Sequence, residues 1–230
     1  YGDYQTGSTV INDGEIRASV PGQTLTVRGN SWQNNGLLEV ERGAMAVLTG
    51  SAWSNQGTLS AMASSTLTLG QSTTAWSNTG SIVSTEATVN LGGTFSLSAA
   101  GSFMRSGGAV NLTGTLINTP TLAFDSNTGS WNFVGGTVVG ATIQGADGHG
   151  LVATSSGGTL DDVTLASDFA LSTSSAYVTI MDSLMLTNGA RVLLTGASTY
   201  TYFRNSPLIS GNGEIVLAAT NSTLYPWTTN

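Results

Sequence analysis

Apolar and polar residues alternate in short runs along almost the whole chain, as in Leu25-Thr-Val27, Leu67-Thr-Leu69, Val89-Asn-Leu91 and Val110-Asn-Leu112. A period of two places the apolar side chains on one face of an extended segment and the polar ones on the other, so each run predicts a short strand with one buried face. The runs are separated by Gly and Asn, where the chain must turn. Later stretches keep the same habit: "GGTLDDVTL", "DFALS", "AYVTI", "DSLMLTNGARVLLTG" and "LISGNGEIVLA".

The runs also recur at a fixed step. Val10-x-Asn12-x-Gly14, Trp32-x-Asn34-x-Gly36, Trp53-x-Asn55-x-Gly57 and Trp76-x-Asn78-x-Gly80 form one series, with glycines 22, 21 and 23 residues apart. A second series runs between them: Leu25-Thr-Val27-Arg-Gly29, Val47-Leu-Thr-Gly50, Leu67-Thr-Leu69-Gly70, Val89-Asn-Leu91-Gly92 and Val110-Asn-Leu112-Thr-Gly114. A unit of about 22 residues is too small to enclose a core, so it must stack on its neighbours, and fixed periods of this size signal solenoids. Leucine-rich repeats share the period but need a dense Leu/Asn consensus and usually a helical arc. The arcs here are rich in Ser, Thr and Gly, which favours a parallel β-helix, an all-β fold whose coils lie about 4.8 Å apart and stack equivalent side chains on one another.

That fold gives the repeated motif a structural meaning. Trp32, Trp53 and Trp76 form an aromatic stack, and Asn12, Asn34, Asn55 and Asn78 a ladder of amides bonded coil to coil. Gly14, Gly36, Gly57 and Gly80 supply corners that a Cβ would hinder. Beyond Gly92 the pattern drifts: Leu97-x-Ala99-x-Gly101 reads as the next copy with Trp and Asn replaced, and Asn118 with Pro120 as a further one. The simplest organisation is one solenoid over residues 1–230, of about ten coils and hence about 45 to 50 Å of stack at strand spacing. Within it, 10–123 holds the regular Trp-x-Asn-x-Gly coils, 124–156 irregular coils with longer loops, and 157–230 a second regular set and the C-terminal segment. Trp131-x-Phe133-x-Gly135 falls in the irregular part, at a shorter spacing from the preceding copy.

Composition agrees with the strands and narrows the partners. Of 230 residues, 40% are apolar, enough for a core, and only 8% are charged. All six basic residues are Arg and the net charge is −7, so a nucleic-acid backbone or an anionic membrane surface would repel the chain. Cys is absent, which removes disulfides and thiolate metal sites, and a repeat array with a continuous core does not need such staples. No apolar run is long enough to span a membrane, and the opening "YGDYQTGSTV" lacks the basic and apolar regions of a signal peptide. The expectation is a chain whose signal has been removed, or a piece of a longer one.

The series "WSNTGSI", "ATVNLGGTF", "GGAVNLTGTL", "GSWNFVGGTV", "GGTLDDVTL" and "GNGEIVL" resembles repeats of very large bacterial surface and secreted proteins, the filamentous haemagglutinin-like and autotransporter-like β-solenoid adhesins. The resemblance covers about Val10 to Ala218. It implies export, a right-handed parallel β-helix, and a role in adhesion, cell-surface structure or filaments. It brings no catalytic residues and no cofactor.

Enzymes use parallel β-helices too. Pectin-degrading glycosidases of that fold carry Asn-Thr-Asp, Asp-Asp, Gly-His-Gly and Arg-x-Lys in that order, which provide two carboxylates and a cationic subsite. Here "DGHG" at Asp147 to Gly150 precedes the pair Asp161 and Asp162, so the order is reversed; Asn-Thr-Asp is missing, and no Lys exists. His149 reads as a residue of a Gly-rich turn. Asp161 and Asp162 with Asp168, or Asp182 with Asn188, offer oxygen ligands for Ca²⁺, but the Gly-Gly-x-Gly-x-Asp repeat of calcium-loaded β-rolls is absent and solvated turn carboxylates are the reading adopted. Asn111-Leu-Thr113 and Asn221-Ser-Thr223 match the glycosylation sequon, read here as chance. Outward Thr-x-Thr pairs at Thr24/Thr26 and Thr66/Thr68 suggest an ice-binding face. The equivalent positions, taken as Ala44 or Ala46, Thr88 with Asn90, and Asn111, break the array.

The function expected is therefore a non-catalytic, extracellular or cell-surface structural or adhesive segment, with no metal. A carbohydrate-binding or carbohydrate-active β-helix is the alternative. Loops on a rigid scaffold carry recognition, so Trp131, Phe133 and Asp147 are the candidate ligand contacts, Trp131 being equally suited to an internal stack. Partners expected are cell-surface glycans or proteins, further solenoid repeats, or copies of the chain head to tail. Aromatics near both ends (Tyr1, Tyr4; Tyr200, Tyr202, Phe203, Tyr225, Trp227) suit such end-to-end stacking, the alternative being a small cap built around Pro226.

Overall fold

The computed structural model describes residues 9–71, 74–97, 102–117 and 119–227, and Tyr1, Tyr4, Ala99, Gly101 and Asn118 lie outside them. Among the described residues there is no helix. The fold is an all-β parallel β-solenoid whose coils recur about 22 residues apart, with about ten turns. The chain divides into two compact units, Tyr1–Gly114 and Thr115–Asn230.

In the first unit each coil contributes three strand segments, and each segment pairs in parallel with its counterpart one coil on. One side is built from Thr9–Asn12, the second half of Thr24–Asn34, the second half of Met45–Asn55, Ala75–Asn78 and Thr94–Leu97. A second side runs from Glu15–Ala18 through Leu37–Val40, Thr58–Met62 and Ser81–Thr85 to Ser102–Ser106. The third uses the first halves of the two long strands with Thr66–Leu69, Thr88–Leu91 and Ala109–Leu112. Along this third side alternation is strict, and it resets where the long strands bend to the next side. Leu25, Ala46, Leu67, Val89 and Val110 fall in one inward column, and Val27, Leu48, Leu69, Leu91 and Leu112 in the next. From Ala46 and Leu48 to Val110 and Leu112 these side chains are fully buried, each Val or Leu contributing roughly 1.5–3 kcal/mol of transfer free energy.

This placement corrects the second sequence series at one coil. Ala46 and Leu48, not Val47, point inward, while Met45 and Val47 take the outward positions between Thr24/Thr26 and Thr66/Thr68. The outward rows therefore read Thr24, Met45, Thr66, Thr88, Ala109 and Thr26, Val47, Thr68, Asn90, Asn111. Alternation fixes which neighbour of an apolar pair is buried only after the register is known.

The Trp-x-Asn-x-Gly motif forms the expected ladders. Trp32, Trp53 and Trp76 stack at 5.3 and 4.7 Å between ring centroids, and Phe95 extends the column at 4.4 Å. Asn12 Nδ2 donates to Asn34 Oδ1 at 2.7 Å, Asn34 to Asn55 at 2.7 Å and Asn55 to Asn78 at 2.6 Å. The same Nδ2 atoms donate to turn carbonyls: Asn34 to Gly36, Asn55 to Gly57 and Asn78 to Gly80. Each amide thus satisfies both its neighbour and the corner, which is why Asn rather than an apolar residue sits in so buried a place. The copy after Asn78 stands two residues earlier than the sequence suggests. Phe95 pairs with Trp76 and Leu97 with Asn78, so Leu97 occupies the Asn position and ends the ladder.

The motif glycines matter for a different reason from conformational freedom. None of Gly14, Gly36, Gly57 and Gly80 has positive φ. A Cβ on Gly36, Gly57 or Gly80 would instead collide with the carbonyl oxygen of the preceding motif glycine, whereas at Gly14 it would meet nothing. Coil-to-coil contact, then, requires the small residue.

The ring column carries a cost. Trp76 Nε1 donates to the Gly92 carbonyl at 2.8 Å, but Trp32 Nε1 and Trp53 Nε1 are buried without a partner among the described residues. Stacking fixes each ring plane and hence the direction of its N–H, and only at Trp76 does a carbonyl lie in line.

The second unit repeats the three-segment coil with longer turns. One side pairs Thr115–Leu116, Thr137–Val139, the start of Thr159–Leu165, the start of Tyr177–Leu186, the start of Tyr200–Gly211 and Thr223–Pro226. The next runs from Thr121–Phe124 and Thr142–Gly145 through the later halves of the same long strands. The last holds Trp131–Phe133 with Leu151–Ala153, and Phe169–Leu171 with Arg191–Leu194 and Glu214–Leu217. The stretch expected to be irregular keeps the coil step, since Thr115 pairs with Thr137 and Thr137 with Thr159.

Replacing one rung of the amide ladder tests its weight. Asn55→Leu leaves the Asn34 amide without its inter-coil acceptor and Asn78 Oδ1 without its donor, and is expected to destabilise the chain by about 1–3 kcal/mol in thermal or denaturant unfolding. An unchanged unfolding midpoint would refute the ladder's contribution.

Candidate functional site

The three candidate ligand contacts separate in space by their burial. Trp131 and Phe133 lie on one short strand, two residues apart, and both point inward. Each is fully buried, and Trp131 meets Phe124 edge-on at 5.4 Å and 90°. They are core residues in register with Leu151 and Ala153, which corrects the expectation that they face a ligand; Trp131 lies inside, against Phe124. The sequence signal misled because a Trp-x-Phe pair at a loop boundary looks alike whether it faces in or out.

Asp147 is exposed. It and Gly148 both have positive φ, 55 and 77, and His149 N donates to the Ala146 carbonyl at 2.9 Å. This is a two-residue turn of the kind Asp-Gly favours. His149 is accordingly a turn residue. The turn borders a shallow depression of about 420 Å³ lined by polar side chains, Ser130, Ser167, Asp168 and Ser172, beside Asp147 and His149. Two of these are already engaged, Ser167 Oγ accepting from Gly145 N at 2.8 Å and Ser130 Oγ from Gly150 N at 3.2 Å.

Asp168 is engaged as well. Its Oδ2 accepts from Arg191 Nη2 at 2.6 Å and its Oδ1 from Arg191 N at 2.9 Å. The Arg191 guanidinium and backbone N–H hold its carboxyl below the usual carboxylate range. Asp161, Asp162 and Asp182 lie outside the depression, at the corner where register shifts between Asp161 and Val163 and between Met181 and Ser183. Asp162 and Asp182 both take φ 53 there, and Ser183 Oγ donates to Asp162 at 2.5 Å. Burial, with Asp182 and Asp162 beside it, pushes the Asp161 carboxyl above its ordinary value. Asn188 stands in a separate turn, before Gly189. Among the described residues no three His, Cys, Asp or Glu side chains are arranged to hold a metal ion.

A second surface feature is aromatic. Tyr177, Tyr200, Tyr202, Tyr225 and Trp227 project from neighbouring strands of the second unit, centred on Tyr202. The Arg204 guanidinium lies 5.3 Å from the centre of the Trp227 ring. Burial, and after it the neighbouring phenols of Tyr200, Tyr177 and Tyr225, raise the Tyr202 phenol above its ordinary value, so it stays a hydrogen-bond donor. The sequence groups Tyr200, Tyr202, Tyr225 and Trp227 only as aromatics near one end; the coil step of 23 residues between Tyr202 and Tyr225 is the signal that sets them side by side on one flank.

Comparison of the chain with protein families, with curated proteins and with solved structures finds no match.

Two measurements check these placements. Trp131→Ala is expected to cost about 3–5 kcal/mol of stability in equilibrium unfolding, where an exposed binding residue would cost almost nothing. For Asp161, a folded value raised above the unfolded one makes its charge oppose folding at neutral pH, an opposition that vanishes as pH falls through the ordinary carboxylate range. Asp161→Asn is therefore expected to stabilise slightly at pH 7, by less than about 1 kcal/mol, and to match the parent near pH 3.

Proposed function

We propose that this chain is an extracellular structural or adhesive β-solenoid segment of a bacterial surface protein or filament, with no catalysis of its own. The observation that carries the reading is the residue-for-residue register in which successive coils of the first unit seat on one another, Trp on Trp and Asn on Asn. Such a stack resists bending at the expense of little sequence information, because every coil contacts only its neighbours. Its outward positions are free to vary, which suits a shaft that displays contact surfaces. The resemblance of the repeats to those of haemagglutinin-like and autotransporter-like adhesins supports the same class, as does a lysine-free, acidic composition with net charge −7.

The partners follow from the edge chemistry of a parallel coil, which presents backbone donors and acceptors to whatever continues it. Further solenoid repeats, or copies of the chain meeting head to tail, satisfy those groups; cell-surface glycans or proteins would meet the flanks. A head-to-tail contact does not close, so it elongates.

Light scattering and electron microscopy of the purified chain, together with adherence of chain-coated beads to bacterial and animal cells, test this directly. Elongating particles or cell binding is the expected result. A chain that does neither, and that releases reducing ends from polygalacturonate, would overturn the reading in favour of a carbohydrate-active β-helix.

A further inference from the structure

The outward row that begins with Thr115, Thr137, Thr159 and Thr179 changes character at its far end, where Tyr202 and Tyr225 take the next two places. Two residues earlier on the same strands, Tyr177 stands opposite Tyr200. Two residues beyond Tyr225 the chain adds Trp227, tied to the sheet by its N–H to the Phe203 carbonyl at 2.7 Å. Coil stacking thereby gathers aromatic residues from three successive coils on one flank.

Their geometry makes a cleft rather than a flat sheet. The Tyr202 ring lies parallel to Tyr200 at 5.9 Å and 10°, but stands edge-on to Tyr225 at 5.9 Å and 75° and to Trp227 at 5.3 Å and 65°. Tyr202, Tyr225, Pro226 and Trp227 border an open cleft of about 390 Å³. Tyr225 and Trp227 remain 53% and 45% exposed, large apolar areas for a surface position. None of the four phenol hydroxyls, nor the Arg204 guanidinium, has a hydrogen-bond or ion-pair partner among the described residues. The rim is thus polar and unsatisfied, the walls aromatic.

We propose that this cleft binds a neutral pyranose sugar, a proposal that rests on the adhesive half of the reading above and assigns its contact to this flank. A pyranose has apolar C–H faces and a hydroxyl edge, and the cleft offers ring faces at Tyr225 and Trp227 with phenol and guanidinium donors beside them. Its volume suits one or two sugar rings, and its four lining residues are far fewer than the roughly 20–30 that a protein partner covers. Neutral rather than acidic sugars fit the charges. Asp161 occupies the same outward row as Arg204, separated by Met181, Asp182 flanks that row at the corner, and the chain as a whole is acidic. Arg204, held over Trp227, positions the indole and donates to ring hydroxyls. A following coil would pair with the backbone edge of Thr223–Pro226 and leave these outward side chains on the flank.

The test is titration of the purified chain with cellobiose, lactose and N,N′-diacetylchitobiose, with digalacturonate as the acidic comparator, read by saturation-transfer NMR and calorimetry. At least one neutral disaccharide is expected to bind. Trp227→Ala and, independently, Tyr225→Ala are each expected to weaken it by about tenfold or more at an unchanged unfolding midpoint. Arg204→Gln is expected to weaken it less. The proposal is overturned if no neutral disaccharide binds, if only digalacturonate does, or if both aromatic variants bind as the parent does. It is equally overturned if they abolish self-association without any sugar binding. Chain-coated beads that still adhere to cells while no disaccharide binds would remove this site alone and leave the adhesive reading standing.

Discussion

Seating each residue on its counterpart about one coil earlier is the constraint from which the rest of this structure follows. Backbone pairing in parallel requires it, and so do the side chains: indole on indole, amide on amide, and glycine under glycine where the carbonyl of the coil below leaves no room for a Cβ. A slip of one residue in such an array would turn the inward columns outward and bring Thr and Ser into the core. The amide ladder is the strongest guard against that slip, because a buried Asn that loses its neighbour keeps its desolvation cost and loses its bonds.

The same constraint explains the structure's irregularities. Where the ladder residue changes to Leu97, the Asn series stops, although the aromatic column continues through Phe95. At the far edge of the second side of the first unit, Arg105 takes the inward register position above Ser84, and its guanidinium donates to the Gly107 and Gly108 carbonyls. A long side chain that can fold its charge back to the corner fills a column end that a short apolar residue would leave open. The unpaired indoles of Trp32 and Trp53 are the reverse case, in which column geometry overrides a hydrogen bond.

Function on such a scaffold has to reside in what the register leaves unconstrained. Outward positions contribute little to the core, so they can change from Thr to Tyr over one coil without disturbing the pairing beneath, as Thr179 and Tyr202 do. The polar depression near Asp147 is built mainly from groups that already bond to the chain itself. The aromatic cleft near Tyr202 is built from groups that do not, and that difference separates a surface shaped by folding from one available to a ligand.

Much of the fold was legible in the sequence, because period and alternation are local properties. The step of about 22 residues, the strands with one buried face, and the partners in the Trp and Asn columns could all be read from spacing. The tertiary structure decided whatever depended on absolute register. It placed Ala46 inward and Val47 outward, put Leu97 rather than Ala99 beneath the Asn position, and buried Trp131 and Phe133 where a loop contact was expected. It also brought Tyr202, Tyr225 and Trp227 together from positions that no local window contains. The physical reason is common to all of these: a strand's own sequence states which residues share a face, but which face is buried is set by the neighbouring coil.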